Sequence, residues 1–131
     1  MATVPLISDA AASAEVLAVY AEIRATRGGD FINNFWRALA NDPALLAATW
    51  GRLKEVMGPG DLDPVVKEMI YIAVSVANGC SYCIHSHTAA ATAKGMSATQ
   101  HGELMGVIGM AMQTNGLVTA MQVPVDEAFR V

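Results

Sequence analysis

Apolar residues recur along this chain at spacings of three and four, and the strict alternation of a half-buried strand is absent throughout. Residues 1–8 read as an extended arm, with Pro5 opposing a helix. Ser8 or Asp9 is placed to cap a first helix running to about Arg27, with Val16, Leu17, Tyr20 and Ile23 on one stripe and Gly28-Gly29 ending it. Phe31, Phe35, Trp36 and Leu39 recur at helical spacing in a short second helix. Asp42-Pro43 is a cap followed by a first-turn proline, so a third helix begins there and passes Trp50 and Leu53 to about Met57. Gly58-Pro59-Gly60 breaks the pattern. Asp63-Pro64 repeats the start signal for a fourth helix to about Asn78, apolar on nearly every side and so expected to be the central buried element. Asn78-Gly79 breaks it, and Cys80-Ser81 opens a fifth helix ending near Gly95. Ser97 with Gln100 forms a capping box for a sixth helix to about Asn115. Gly116 then interrupts, before a last short helical segment and an irregular tail containing Pro124. The pattern predicts an all-α fold, a bundle of six to seven helices.

Composition adds an expectation about assembly. The chain of 131 residues suits a single domain, 1–131, with no repeat or linker. Hydrophobic residues make up 53% and charged residues only 15%, too little polar surface to cover an isolated globule, so apolar surface is expected to be buried between subunits. The net charge of −4 and the lack of a basic run argue against nucleic acid as partner. The start MATVPLISDA lacks the basic-then-apolar pattern of a secretory leader, and the apolar run Met69 to Ala77 is too short to span a bilayer. A cytoplasmic location without membrane attachment is expected. In a reducing compartment a C-x-x-C pair is more often reactive or metal-binding than a structural staple.

The chemistry concentrates in Glu68 to His87, EMIYIAVSVANGCSYCIHSH, which holds both cysteines of the chain. Cys80, Cys83 and His87 follow one another at i, i+3 and i+7, one face of a helix. The pair falls at a helix N-terminus, where unpaired N–H groups and the macrodipole favour a thiolate. One sulfur can attack an oxidant to give a sulfenic acid, and the other can close the disulfide and expel water. His87 is placed to accept or return the proton of Cys83. Glu68 lies twelve positions before Cys80, roughly 18 Å along a straight helix. It reaches His87 only if the chain reverses at Asn78-Gly79-Cys80 and the helices run antiparallel. If they meet, a carboxylate on one imidazole nitrogen fixes the tautomer and completes a Glu–His–Cys relay.

Glu68-x11-Cys80-x-x-Cys83-x-x-x-His87, with Asn78-Gly79 before the first cysteine and Tyr82 before the second, resembles the carboxymuconolactone decarboxylase / alkylhydroperoxidase D-like superfamily. GGDFINNFWRALANDPALL and LDPVVKEMI extend the likeness to its single-repeat members over about residues 15–115. The resemblance implies an all-helical unit that assembles through its helices, as a hexamer (a trimer of dimers) or a trimer. It implies that Cys83 is the peroxide-reactive thiol and Cys80 the resolving one, with Glu68 and His87 in the proton relay. It implies no cofactor beyond the Cys80–Cys83 disulfide, and an unidentified thiol as electron donor. Tyr82 departs from the pattern, because alkylhydroperoxidase D carries a histidine there; the relay is altered at that point, and Tyr82 is a candidate for lining the site.

Together these point to a dithiol/disulfide oxidoreductase with peroxide-reducing, antioxidant activity. The rival reading is a lyase on a small lactone acid, in which His87 and Glu68 move protons and the cysteines are incidental. A third is a metal-binding module using Cys80, Cys83, His87 and Glu68, of suitable ligand type but with no second cluster beside it. The plain readings are two cysteines buried as small hydrophobes and Glu68 as a solvated first-turn acid. His85 points off the Cys83–His87 face, and His101 reads as a solvated helix residue. Phe31, Phe35, Trp36, Trp50 and the eight methionines read as core or interface.

Overall fold

The computed structural model describes residues 1–130, and among them it contains six α-helices, two short 3-10 helices and no strand. They fall into two compact units, Met1–Gly58 and the chain from Pro59 onward. The division lies at the Gly58-Pro59-Gly60 break that the sequence marks.

In the first unit a 3-10 helix, Asp9–Ala11, precedes α1, Ala14–Arg27. The cap is Ser13, whose hydroxyl accepts the N–H of Val16 at 3.3 Å, and not Ser8 or Asp9. Asp9 is drawn aside by two guanidinium groups, Arg24 at 2.8 Å and Arg37 at 3.2 Å, so its carboxylate caps nothing. Helix α1 ends at Gly28, which has φ +72°. Helix α2 spans Asn34–Leu39, and α3 spans Pro43–Met57 behind an Asp42 cap that accepts the Leu45 N–H at 3.0 Å. Val16, Tyr20, Ile23, Ile32, Trp36, Leu46 and Trp50 form the buried cluster. Each large side chain buried there contributes roughly 1.5–3 kcal/mol. Trp36 meets Trp50 edge-on, with centroids 5.4 Å apart. Leu17 and Phe35 are exposed, and Phe31 precedes α2 and faces outward, so the predicted stripes are only partly buried.

The second unit carries the candidate chemistry. Helix α4, Pro64–Ala77, starts where predicted, with the Asp63 carboxylate accepting the Val65 N–H at 2.8 Å. Asn78 and Gly79 reverse the chain into α5, Ser81–Ala93. Helix α6, Ala98–Met121, opens on the expected capping box: the Ser97 hydroxyl accepts the Gln100 N–H at 3.1 Å, and Gln100 Oε1 accepts the Ser97 N–H at 2.8 Å. Ile72, Ala91, Met96 and Ile108 form this unit's buried cluster, where α5 and α6 both pack on α4.

Two expectations fail here. Helix α4 is not buried all round: Glu68, Ile72 and Ser75 are covered, while Val66, Ile70 and Val74 are exposed. Its uniform apolarity therefore does not mark a core helix of this chain. Helix α6 also does not stop near Asn115. A mid-helix glycine costs only about 1 kcal/mol relative to alanine, too little to end an established helix, so α6 runs through Gly116 to Met121. It ends where Gln122 turns left-handed, φ +51°, two residues before Pro124. A short 3-10 helix, Glu127–Phe129, takes the place of the last helical segment. By length and apolarity alone α6 is also sufficient to cross a membrane, a test that the core helix of a soluble protein passes too.

Candidate active site

All the residues of the site lie in the second unit, and its geometry begins at the reversal. Gly79 adopts φ +66°, a conformation that costs an L side chain roughly 1–2 kcal/mol, which lets the chain double back within two residues. The Cys80 N–H then returns to the Ser75 carbonyl at 2.9 Å, closing the turn. Cys80 is the N-cap of α5, a position usually held by Ser, Thr, Asp or Asn. Its sulfur does the work of their oxygen, accepting the Cys83 N–H at 3.3 Å. Cys80 and Cys83 are joined in a disulfide, both partly buried. The first turn of α5 therefore presents the pair at the positive end of the helix dipole.

The same reversal makes α4 and α5 antiparallel neighbours, so the start of α4 faces the far half of α5. Glu68, 4% exposed, lies where they meet. Its Oε2 accepts a hydrogen bond from Nδ1 of His87 at 2.6 Å, and its Oε1 accepts one from Nζ of Lys94 at 2.5 Å. Burial alone would push this carboxyl upward; hydrogen bonds from His87 and Lys94, with the nearby ammonium charge, outweigh it and hold the group below the usual carboxylate range. Glu68 is therefore an anion at neutral pH. An anionic carboxylate only accepts, so the proton of neutral His87 sits on Nδ1 and Nε2 is the nitrogen that exchanges protons. The Tyr71 ring stacks on the imidazole, centroids 3.6 Å apart and planes 17° from parallel, which fixes the ring's tilt. Cys83 lies one helical turn before His87, with Cβ atoms roughly 5–6 Å apart on ideal geometry.

The geometry thus unites Glu68 and His87, and Cys80 and Cys83, as the sequence allowed. The reading of Glu68 as a solvated acid does not hold. Tyr82 follows the cap at the exposed start of α5. His85 is exposed, off the Cys83–His87 face, while His101 is half-buried rather than solvated. Among the described residues no three His, Cys, Asp or Glu side chains gather as a metal site. Sequence reasoning missed Lys94 and Tyr71. The signals were there: Lys94 is the only lysine or arginine between Lys67 and Arg130, seven residues past His87, and Tyr71 lies at i+3 from Glu68 on α4.

The chain is similar to known proteins in sequence and in fold. A crystal structure of the alkylhydroperoxidase AhpD core from Rhodospirillum rubrum is 65% identical, covers 100% of this chain with 98% of its own, and superimposes with a TM-score of 0.97. An uncharacterized protein of Cupriavidus necator is 32% identical over 77 residues, 58% of this chain and 68% of that protein. The model of the carboxymuconolactone decarboxylase family matches residues 43–126, from the first residue of α3 to just before the 3-10 helix Glu127–Phe129. With the AhpD-like helical fold and a match across well over half its length, the chain belongs to the carboxymuconolactone decarboxylase family.

Proposed function

We propose that this protein is a dithiol/disulfide oxidoreductase that reduces small organic hydroperoxides. The observation that carries the reading is a Cys80–Cys83 disulfide at the start of α5, one turn from a histidine whose tautomer a buried anion sets. In the reduced protein His87 Nε2 takes the Cys83 proton. The thiolate attacks the terminal peroxide oxygen, the O–O bond breaks, and the alkoxide leaves as alcohol with the proton His87 held. Cys83 is now a sulfenic acid. The Cys80 sulfur attacks it, the S–S bond forms and water departs. One hydroperoxide and two thiols become one alcohol, one water and one disulfide. An external dithiol, not yet identified, then reduces the disulfide by exchange. The two sulfurs hold both electrons, so the cycle needs no cofactor or metal.

Titration of free thiols before and after one equivalent of cumene hydroperoxide tests this. Loss of two thiols per chain, recovered with dithiothreitol, supports it; thiols that stay free while the hydroperoxide persists refute it.

The lyase reading draws on the Glu68–His87 pair, which can move protons without any sulfur. Full turnover of a small lactone acid by a Cys80→Ser, Cys83→Ser double variant would put it first. A metal-binding module has less support, because its two thiolate ligands are bonded to each other.

We also propose a cytoplasmic homo-oligomer, a hexamer or trimer, with no membrane or nucleic acid partner. The exposed Val107, Met110, Leu117 and Met121 of α6 and Val66, Ile70 and Val74 of α4 support it. Sedimentation of wild type against Val107→Glu, Met110→Glu tests it: the assembly should fall apart in the variant, and a wild-type monomer would end the proposal.

A further inference from the structure

Lys94, like Tyr71, belongs to the site but not to the motif, and its backbone is firmly placed. It is the C-cap of α5, its N–H reaching the carbonyls of Ala90 and Ala91 at 3.1 Å each. Gly95 turns the chain at φ +103°, and the Met96 N–H returns to Ala91 at 2.9 Å with Met96 itself buried. From that anchor the side chain reaches across to α4, where Nζ meets Oε1 of Glu68. The plain alternative is a surface lysine that favours a helix C-terminus and brings its amine to the nearest acid. Against it stands what the acid is: 4% exposed, with its second oxygen on His87.

We infer that Lys94 is a positioning residue of the proton relay: by occupying Oε1 with an ammonium, it keeps Glu68 an acceptor toward His87, so that the imidazole proton stays on Nδ1 and Nε2 stays able to take a thiol proton. Its kinetic consequence rests on the oxidoreductase reading, whereas the tautomer rests on geometry alone.

The reasoning turns on what Glu68 would do without Lys94. A buried carboxylate with one oxygen unpaired is costly, and the cheaper state is the neutral acid. A neutral carboxyl group donates its proton, and the acceptor in reach is Nδ1 of His87. That reverses the hydrogen bond: Nε2 then carries the proton, and the imidazole can give a proton to Cys83 but cannot take one. Lys94 thus sets the direction of the relay. It also keeps the Glu68–His87–Lys94 group neutral, so that a thiolate at Cys83 does not form beside an uncompensated negative charge. The groups around Glu68 support assigning this to Lys94. From α5, His87 and Lys94 hydrogen-bond it at 2.6 and 2.5 Å; α6, also packed on α4, bears His101 and Glu103, and neither hydrogen-bonds it. On α4 the other titratable groups next to it are Lys67 and Tyr71.

The test compares Lys94→Met, Lys94→Arg, Glu68→Gln and the Glu68→Gln, Lys94→Met double variant with wild type, each checked for helix content. The first readout is the nitrogen-15 shifts of the His87 ring in the oxidised protein, which need no substrate. Wild type and Lys94→Arg should show the proton on Nδ1, and Lys94→Met should move it toward Nε2 as pH falls below neutral. The second is the rate of hydroperoxide-driven disulfide formation against pH. In Lys94→Met it should fall by roughly 10- to 100-fold near pH 6 and recover toward wild type in alkali. Lys94→Met should add no further loss to Glu68→Gln, because the amide cannot ionise; this double variant also bears no unpaired buried charge if the single one fails to fold. Unchanged His87 shifts in Lys94→Met, or full additivity with Glu68→Gln, overturn the inference. A wild-type protein inert to hydroperoxide with the expected shifts would instead overturn the peroxidase reading and leave the tautomer role standing.

Discussion

Glu68 and His87, nineteen residues apart in sequence and on different helices, share a 2.6 Å hydrogen bond that only the turn at Gly79 makes possible. The contact joins the two halves of the motif, and the removal of either partner has a distinct signature. Glu68→Ala leaves His87 without its Nδ1 partner and Lys94 without a counter-charge. It should slow thiol oxidation by roughly 10²–10⁴-fold, with little change in the affinity for hydroperoxide. Stopped-flow rates on the reduced protein check this, and a rate within threefold of wild type would remove Glu68 from the relay.

The stability contributed by Glu68 has a definite pH dependence. Its carboxyl lies below the ordinary value of 4.5 in the folded protein, so the unfolded chain binds the proton more readily. The contribution is fully present above about pH 4.5, the unfolded value, and is lost as pH falls through the lower folded value. Urea unfolding of wild type and Glu68→Gln from pH 7 to pH 3 should show a gap that narrows only below pH 4.5. A gap that grows with acidification would mean that burial, not the His87 and Lys94 partners, governs this carboxyl.

Tyr71 holds the imidazole by stacking, and its hydroxyl plays no part in that contact. Tyr71→Phe should therefore keep near-wild-type rates, whereas Tyr71→Leu should lose about 0.5–1.5 kcal/mol of ring ordering and roughly 3- to 10-fold in rate. The two variants measured side by side by the same stopped-flow assay decide the point. Equal losses would assign the role to the hydroxyl.

The backbone turn can be tested without touching a reactive group. A Cβ at Gly79 meets nothing within 4 Å, so Gly79→Ala introduces no clash and isolates the cost of its positive φ. Destabilisation of about 1–2 kcal/mol in chemical denaturation is expected. Gly51 gives the control: it is helical, also unobstructed, and Gly51→Ala should be neutral or stabilising.

Much of this was legible in the sequence, for reasons that specific residues explain. Asp42-Pro43 and Asp63-Pro64 set the starts of α3 and α4 because a carboxylate cap and a fixed proline φ act locally. Asn78-Gly79 and the cysteine spacing set the reversal and the face of α5 in the same way. The signals that misled were those in which a distant contact overrode a local preference. Asp9 looked like a cap but is held by Arg24 and Arg37, the latter twenty-eight residues away. Gly116 looked like a stop, but the helix on either side of it continues. The apolar faces of α4 suggested a core, because composition does not distinguish a helix buried on every side from one that leaves Val66, Ile70 and Val74 exposed. Lys94 went unseen because the sequence marks it only as a lone cation, and its reach to Glu68 depends on how α5 lies on α4.

The most direct measurement follows fully reduced protein as it meets one equivalent of cumene hydroperoxide, in wild type and in His87→Asn. In wild type one hydroperoxide should disappear per chain as two thiols are lost and the Cys80–Cys83 disulfide forms; the His87→Asn rate should be lower by two orders of magnitude or more. Thiols that remain free in wild type, or a His87→Asn rate equal to it, would contradict a thiol peroxidase driven by this relay.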